Sequence, residues 1–174
     1  MSEYWDIYTV DGTKTNRQVK RGDAMKKGEY HLVTHSLIIN KKHELLIQKR
    51  TLNKESYPEY WDFGVGGSAV VGENSKMCAH RELKEEVNID YDFTNSEPLL
   101  RTYGIHSLID FYVVPYDGNV ENLQLQQEEV SAVAWAGVEE IDEMMKDKKF
   151  IPYHAHLLPL LLEMIKHRGV HDLG

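Results

Sequence analysis

Apolar and polar residues alternate from Trp5 to Val10, the period of a strand with one buried face. Asp11-Gly12 supplies a turn, and Gln18 to Arg21 can return as a second short strand, so the chain is expected to open on a β-hairpin. Gly22 to Gly28 is polar and reads as loop. Two apolar, β-branched runs follow, His31 to Asn40 and Glu44 to Lys49, and both are expected as core strands. Thr51 to Tyr60 carries Pro58, has no period and reads as a surface loop. Trp61 to Val65 is expected as a strand that closes on Gly66-Gly67, where missing side chains let a ligand or another backbone come close. Ser68 to Val71 reads as a short strand and Gly72 as a turn. Asn74 or Ser75 then caps a helix that ends near Val87, with Leu83 and Val87 facing inward and Asn88 at the helix stop. Strands are predicted at Leu99 to Leu108, Ile109 to Tyr116 and Val130 to Trp135, with Asp117-Gly118 turning the chain between the last two. Val138 to Asp147 is a predicted helix. Pro152 to Arg168 is another, broken or tightened near Pro159, whose stripe of Leu157, Leu158, Leu161, Leu162 and Ile165 suits the core or a homodimer surface.

Composition narrows the class. A chain of 174 residues, 41% hydrophobic and 28% charged, suits one soluble globular domain. Its net charge of −8 sets it against a nucleic-acid polymer as partner. No apolar run approaches the roughly 20 residues of a membrane span, and the opening MSEYWDIYTVDG lacks the features of a signal peptide, so a cytoplasmic location is expected. Cys78 has no second cysteine to pair with and is expected as a small packing residue.

The densest chemistry lies in Arg81-Glu82-Leu83-Lys84-Glu85-Glu86. On a helix Glu82, Glu85 and Glu86 share one face, and each like-charge pair at roughly 6 Å costs on the order of 3 kcal/mol. A cation is the expected remedy, and a hard divalent ion such as Mg²⁺ suits oxygen ligands while leaving sites for water and phosphate. Without one, the run is a solvated helix laced with i,i+4 pairs. Arg81 can reach Glu85, or Glu73 if the loop folds back. His31 and His35 share a strand face, as a metal pair or as ordinary polar residues. Tyr57, Tyr60 and Trp61 can stack on a base or sugar, or anchor their loop on the core.

Spacing adds a resemblance. Gly67, five residues, Glu73, seven residues, then Arg81-Glu82-Leu83-x-Glu85-Glu86-x-Asn88-Ile89 resembles the Nudix hydrolase signature Gx5Ex7REUxEExGU, U being a bulky apolar residue. Asn88 is the departure, standing where the family has the Gly that ends the helix in a left-handed conformation, which Asn tolerates. The resemblance implies an α/β/α sandwich with a mixed sheet over residues 1–174 as one Nudix-like domain, with 1–28 as a hairpin extension and 67–89 as the motif. It implies Mg²⁺ or Mn²⁺ held by Glu82, Glu85, Glu86 and the Gly67 carbonyl, with Arg81 paired to Glu73 and Glu82 also a candidate to orient water. The implied reaction is hydrolysis of a diphosphate linkage in a small molecule. Glu128 and Glu129 are candidates for a further acid, Glu129 preferred, and Arg50, Tyr57 and Trp61 are candidate substrate contacts.

A narrower resemblance covers the first half, where EYWDIY, GEYHLVTH, LLIQKR and Trp61-Asp62 look like the branch related to isopentenyl-diphosphate isomerase. Gly66 stands in the place of that enzyme's reactive cysteine and Ser68 in that of a metal-binding histidine, while His31 alone resembles one of its ligands. Hydrolysis is therefore expected, with an isomerase-like enzyme or a non-catalytic ligand-sensing module as alternatives. Specificity is expected from the loops Thr51 to Tyr60 and Asn95 to His106, whose content fits nucleotides, sugars, coenzymes and prenyl diphosphates alike.

Overall fold

The computed structural model describes residues 2–167. In chain order the strands and helices are β1 (Tyr4–Tyr8), β2 (Lys14–Lys20), β3 (His31–Ile39), β4 (Leu45–Arg50), β5 (Trp61–Phe63), β6 (Val65–Ser68), α1 (Ser75–Val87), β7 (Leu100–Tyr103), β8 (Ser107–Pro115), β9 (Val130–Ala136), α2 (Val138–Lys146) and α3 (Leu157–Lys166). The N-terminal hairpin forms as expected, with β2 starting earlier, at Lys14. β3 is the hub of a mixed seven-stranded sheet in which β5, β4, β3, β8 and β7 are neighbours in that order. β3 runs parallel to β8 and antiparallel to β4 and β6, and β9 pairs with β4.

Alternation along the strands divides the core. Leu37, Ile39, Leu45 and Ile47 point to the side closed by Ile141 of α2 and by Leu158 and Leu161 of α3. Ile38 and Leu46 point to the other side, where Ala79, Leu83 and Val87 of α1 cover them. The result is the expected helix, sheet, helix sandwich. Among the described residues no helix is long and apolar enough to cross a membrane.

Several boundaries differ from expectation. The strand read as Trp61 to Val65 breaks at Gly64, whose φ of 66° is left-handed and whose missing Cβ lets it lie against the Ser36 carbonyl. The break moves the chain from β4 to β3, so β6 carries Gly66 and Gly67 toward α1, and the strand expected at Ser68 to Val71 stops at Ser68. Pro159 does not break α3. It sits in the first turn, where its missing N–H has no helical acceptor to lose, and the helix begins at Leu157 rather than Pro152. The expected helix end, Arg168, lies outside the described residues. The strand expected at Leu99 to Leu108 is confined to β7. The α3 stripe lies on the core, with Leu157, Leu162 and Ile165 packed beside the buried pair.

Candidate active site

The acidic helix owes its ends to two asparagines. The Asn74 side chain accepts from the Met77 N–H at 3.0 Å. Asn88 takes φ 55° and ψ 33°, and its N–H reaches the Lys84 carbonyl at 3.1 Å, so Asn serves in the left-handed position. Ala79, Leu83 and Val87 are fully buried under the sheet, which fixes the rotation of α1 and brings Glu82 and Glu86 to the rim of a cleft of about 490 Å³.

Arg81 ties that helix to the loop before it. Its Nε and Nη2 donate to the two Glu73 oxygens at 2.6 and 2.9 Å, and Nη2 also reaches the Ser68 carbonyl at 3.1 Å. Nη1 lies between Glu82 at 2.8 Å and Glu85 at 3.1 Å, so Arg81 reaches both of its expected partners. Burial alone would raise the Glu73 carboxyl, but Arg81 and the Val70 N–H outweigh it and hold the group below its ordinary range. Burial raises Glu82 despite Arg81. It pushes Glu86 up to about 8, with the neighbouring Glu82 charge adding to the shift and the Gln48 hydrogen bond opposing it.

Two glycines shape the floor. A Cβ at Gly67 would collide with the Glu82 carboxylate, so the missing side chain lets that carboxylate lie directly against the loop. Gly66 faces the His35 ring and the Thr34 carbonyl and brings no thiol. Burial pushes the Cys78 thiol up to about 12; it lies 3.6 Å from the Gly67 carbonyl and 3.3 Å from Thr34, as a packing residue.

Arg50 lines the same cleft and donates to the Ser56 carbonyl from Nε at 3.2 Å and Nη2 at 3.0 Å. Lys54 forms an ion pair with Glu129, which also lines the cleft, and Thr51 straps the two loops together through the Glu128 and Glu129 carbonyls. The structure thus gathers Gly67, Arg81, Glu82, Glu85, Glu86, Glu129 and Arg50 around one cleft, with Glu73 behind Arg81.

It places Tyr57 and Trp61 elsewhere. Tyr57 is exposed and meets the Tyr60 ring edge-on at 5.5 Å, and Trp61 packs on the core beneath α2 and α3. Asn95 and its neighbours line a separate pocket of about 300 Å³ beside Met164. His31 is stacked under Trp5 at 4.0 Å, and His35 uses Nε2 on the Phe63 carbonyl, so each histidine has another use than as half of a metal pair.

Glu3 and Arg21 also line the cleft, joined at 2.9 Å, and sequence reasoning missed them. They arrive because the hairpin docks on the motif loop: Asp6 accepts from the Gly72 N–H at 2.8 Å, and the Tyr4 carbonyl from Val71 at 2.9 Å. The one local sign is Asp6 itself, a buried acid beside buried Ile7 in a strand.

Among the described residues no three acids, histidines or thiols form a ready cage for a metal ion; Arg81 is the cation lying between Glu82 and Glu85. The donors themselves suit Mg²⁺ or Mn²⁺: clustered carboxylates, one of them buried at Glu86, a bare glycine beside Glu82, and a buried Gln48 Oε1 with no partner.

Fold and site together define a Nudix hydrolase, and residues 29–161 match the NUDIX domain. The chain belongs to that family. It is 36% identical over 151 residues to an uncharacterized Nudix hydrolase of Listeria innocua, covering 87% of this chain and 89% of that protein. It is 24% identical over 148 residues to an isopentenyl-diphosphate Delta-isomerase of Dictyostelium discoideum, covering 71% of this chain and 61% of that one. In fold it is similar to the crystal structure of DR0079 from Deinococcus radiodurans, with a TM-score of 0.74 at 20% identity over 92% of this chain and 98% of that one.

Proposed function

We propose that this Nudix hydrolase cleaves a diphosphate linkage in a small molecule with Mg²⁺ or Mn²⁺, by attack of water on phosphorus. The observation that carries the reading is the Arg81 clasp, which locks Glu82 and Glu85 beside Gly67 in a cleft that Arg50 and Lys54 also line. Glu82, Glu85, Glu86 and the Gly67 carbonyl would hold the metal, which when bound neutralises phosphate charge and acidifies water. Arg50 and Lys54 bind phosphate oxygens. A phosphate that draws Lys54 away frees Glu129 to take the proton of the attacking water. The new phosphorus–oxygen bond forms as the bridging one breaks, and the leaving phosphate departs as its anion. In the same reading residues 1–28 are an extension that furnishes part of the cleft wall through Glu3 and Arg21.

A panel of nucleoside, sugar, coenzyme and prenyl diphosphates, assayed with Mg²⁺ and Mn²⁺ for phosphate-containing products, tests this. Glu85→Gln and Glu86→Gln should nearly abolish turnover while circular dichroism stays native. Undiminished turnover in both variants sinks the reading. Conversion of isopentenyl diphosphate to its dimethylallyl isomer would overturn the argument from Gly66.

A further inference from the structure

Among the described residues three buried side-chain polar atoms lack a hydrogen-bond partner: His31 Nδ1, Ser36 Oγ and Gln48 Oε1. Gln48 is the one whose other end holds an acid, its Nε2 donating to Glu86 Oε2 at 3.0 Å. The strand explains the placement. Leu45 and Ile47 face α2 and α3, whereas Leu46 and, two positions on, Gln48 face α1. Gln48 and Glu86 are each 7% exposed, and the Gln126 N–H bonds the Glu86 main-chain carbonyl at 3.0 Å, which holds the end of α1 to the loop before β9.

A buried amide oxygen left unbonded is expensive, about 1–3 kcal/mol, and Met would fill similar volume without that penalty. The amide is therefore informative at both ends. Its NH₂ holds one Glu86 oxygen and turns the carboxylate to a set orientation. Its oxygen, shielded from bulk water, calls for a donor that carries its own support. A water bound to a divalent cation is such a donor, since the ion fixes the oxygen and polarises both O–H bonds.

We propose that Gln48 is a positioning residue of the hydrolytic site: its NH₂ orients Glu86, and its carbonyl oxygen accepts a hydrogen bond from a water on the cation that Glu86 would hold. This rests on the metal-dependent reading above. Residues that orient metal ligands in this way change metal affinity roughly 10–100-fold when removed.

The test is Mn²⁺ titration of wild type, Gln48→Met and Glu86→Gln, with free Mn²⁺ read by electron paramagnetic resonance and folding by circular dichroism. Gln48→Met is expected to raise the Mn²⁺ Kd about tenfold or more with a native spectrum; a folded variant with unchanged Kd overturns the proposal. A crystal structure of the wild type with Mn²⁺ gives a second reading that does not depend on the variant folding. A water within hydrogen-bond distance of both the ion and Gln48 Oε1 supports the role, and an oxygen facing no donor overturns it. Wild type that binds no Mn²⁺ brings down the metal-dependent reading and this inference together. Binding lost in Glu86→Gln but kept in Gln48→Met brings down the Gln48 role alone.

Discussion

Replacing Arg81 by Lys keeps the charge and removes the fork. The guanidinium makes five contacts to oxygen within 3.1 Å: two to Glu73 and one each to Glu82, Glu85 and the Ser68 carbonyl. A single ammonium, with three donors on a four-carbon stem, can keep at most three of these. Charge-assisted bonds are worth about 1.5–3 kcal/mol each, and the 27% exposure of the Arg81 side chain favours the lower end. Losing two such bonds gives a cost of about 3 kcal/mol. In a chain of this size that lowers Tm by about 6–12 °C. Urea unfolding with an unchanged m value is the direct assay. A cycle with Glu73→Gln isolates the pair, because the double variant should cost less than the summed singles by about 1–3 kcal/mol. Turnover on the substrate found by the panel should fall at least about tenfold, since two carboxylates lose their common anchor. Arg81→Lys within about 0.5 kcal/mol of wild type, with additive singles, would refute the clasp as the element that joins loop and helix.

Asn88 and His31 give two further tests. Asn88→Ala should cost about 1 kcal/mol or more, because Ala pays the full left-handed penalty at φ 55°, whereas Asn88→Gly should stay within about 0.5 kcal/mol; equal urea midpoints for the two would contradict the cap. Burial under Trp5 lowers the His31 imidazole to about 4 from an ordinary 6.5. Between those values the unfolded chain binds more protons than the folded one, so the His31 contribution to stability is lost as pH falls from 6.5 toward 4 and grows as it rises. Urea midpoints measured across that window should show a shallower slope in His31→Gln, and an identical slope would refute the assignment.

Local signals carried much of the architecture. The α1 boundaries followed from Asn74, Asn88 and the Leu83/Val87 pair because caps and an apolar stripe act within a few residues. The acid face was legible for the same reason, whereas the tie to Glu73, eight residues from Arg81, was one of two partners left open by the residues and was singled out by the resemblance. What escaped depended on contacts distant in sequence. Nothing near Gly64 announces that β6 must leave β4 for β3, and nothing near Arg21 announces that Asp6 will dock the hairpin on Gly72. Trp61 and Tyr57 had the residue types of a stacking platform, but the core took the indole and left the phenol outside the cleft. Pro159 was expected to break or tighten a helix starting at Pro152, because its effect depends on where the helix starts, which is Leu157 after the His156 cap.

The parallel pairing of β3 with β8 runs from His31 opposite Ser107 to Ile39 opposite Pro115. The whole acidic loop and helix therefore lie inside the crossover that joins those two strands. During folding, α1 can form early from its own caps, but its carboxylates meet a completed cleft only after that long loop has closed. Closure entropy rises slowly with length, by about 0.6 kcal/mol per doubling, so the arrangement weighs on folding speed more than on final stability. The cleft, which takes Glu82 and Glu86 from inside that crossover and Glu129 from beyond it, is therefore complete only when the crossover is closed.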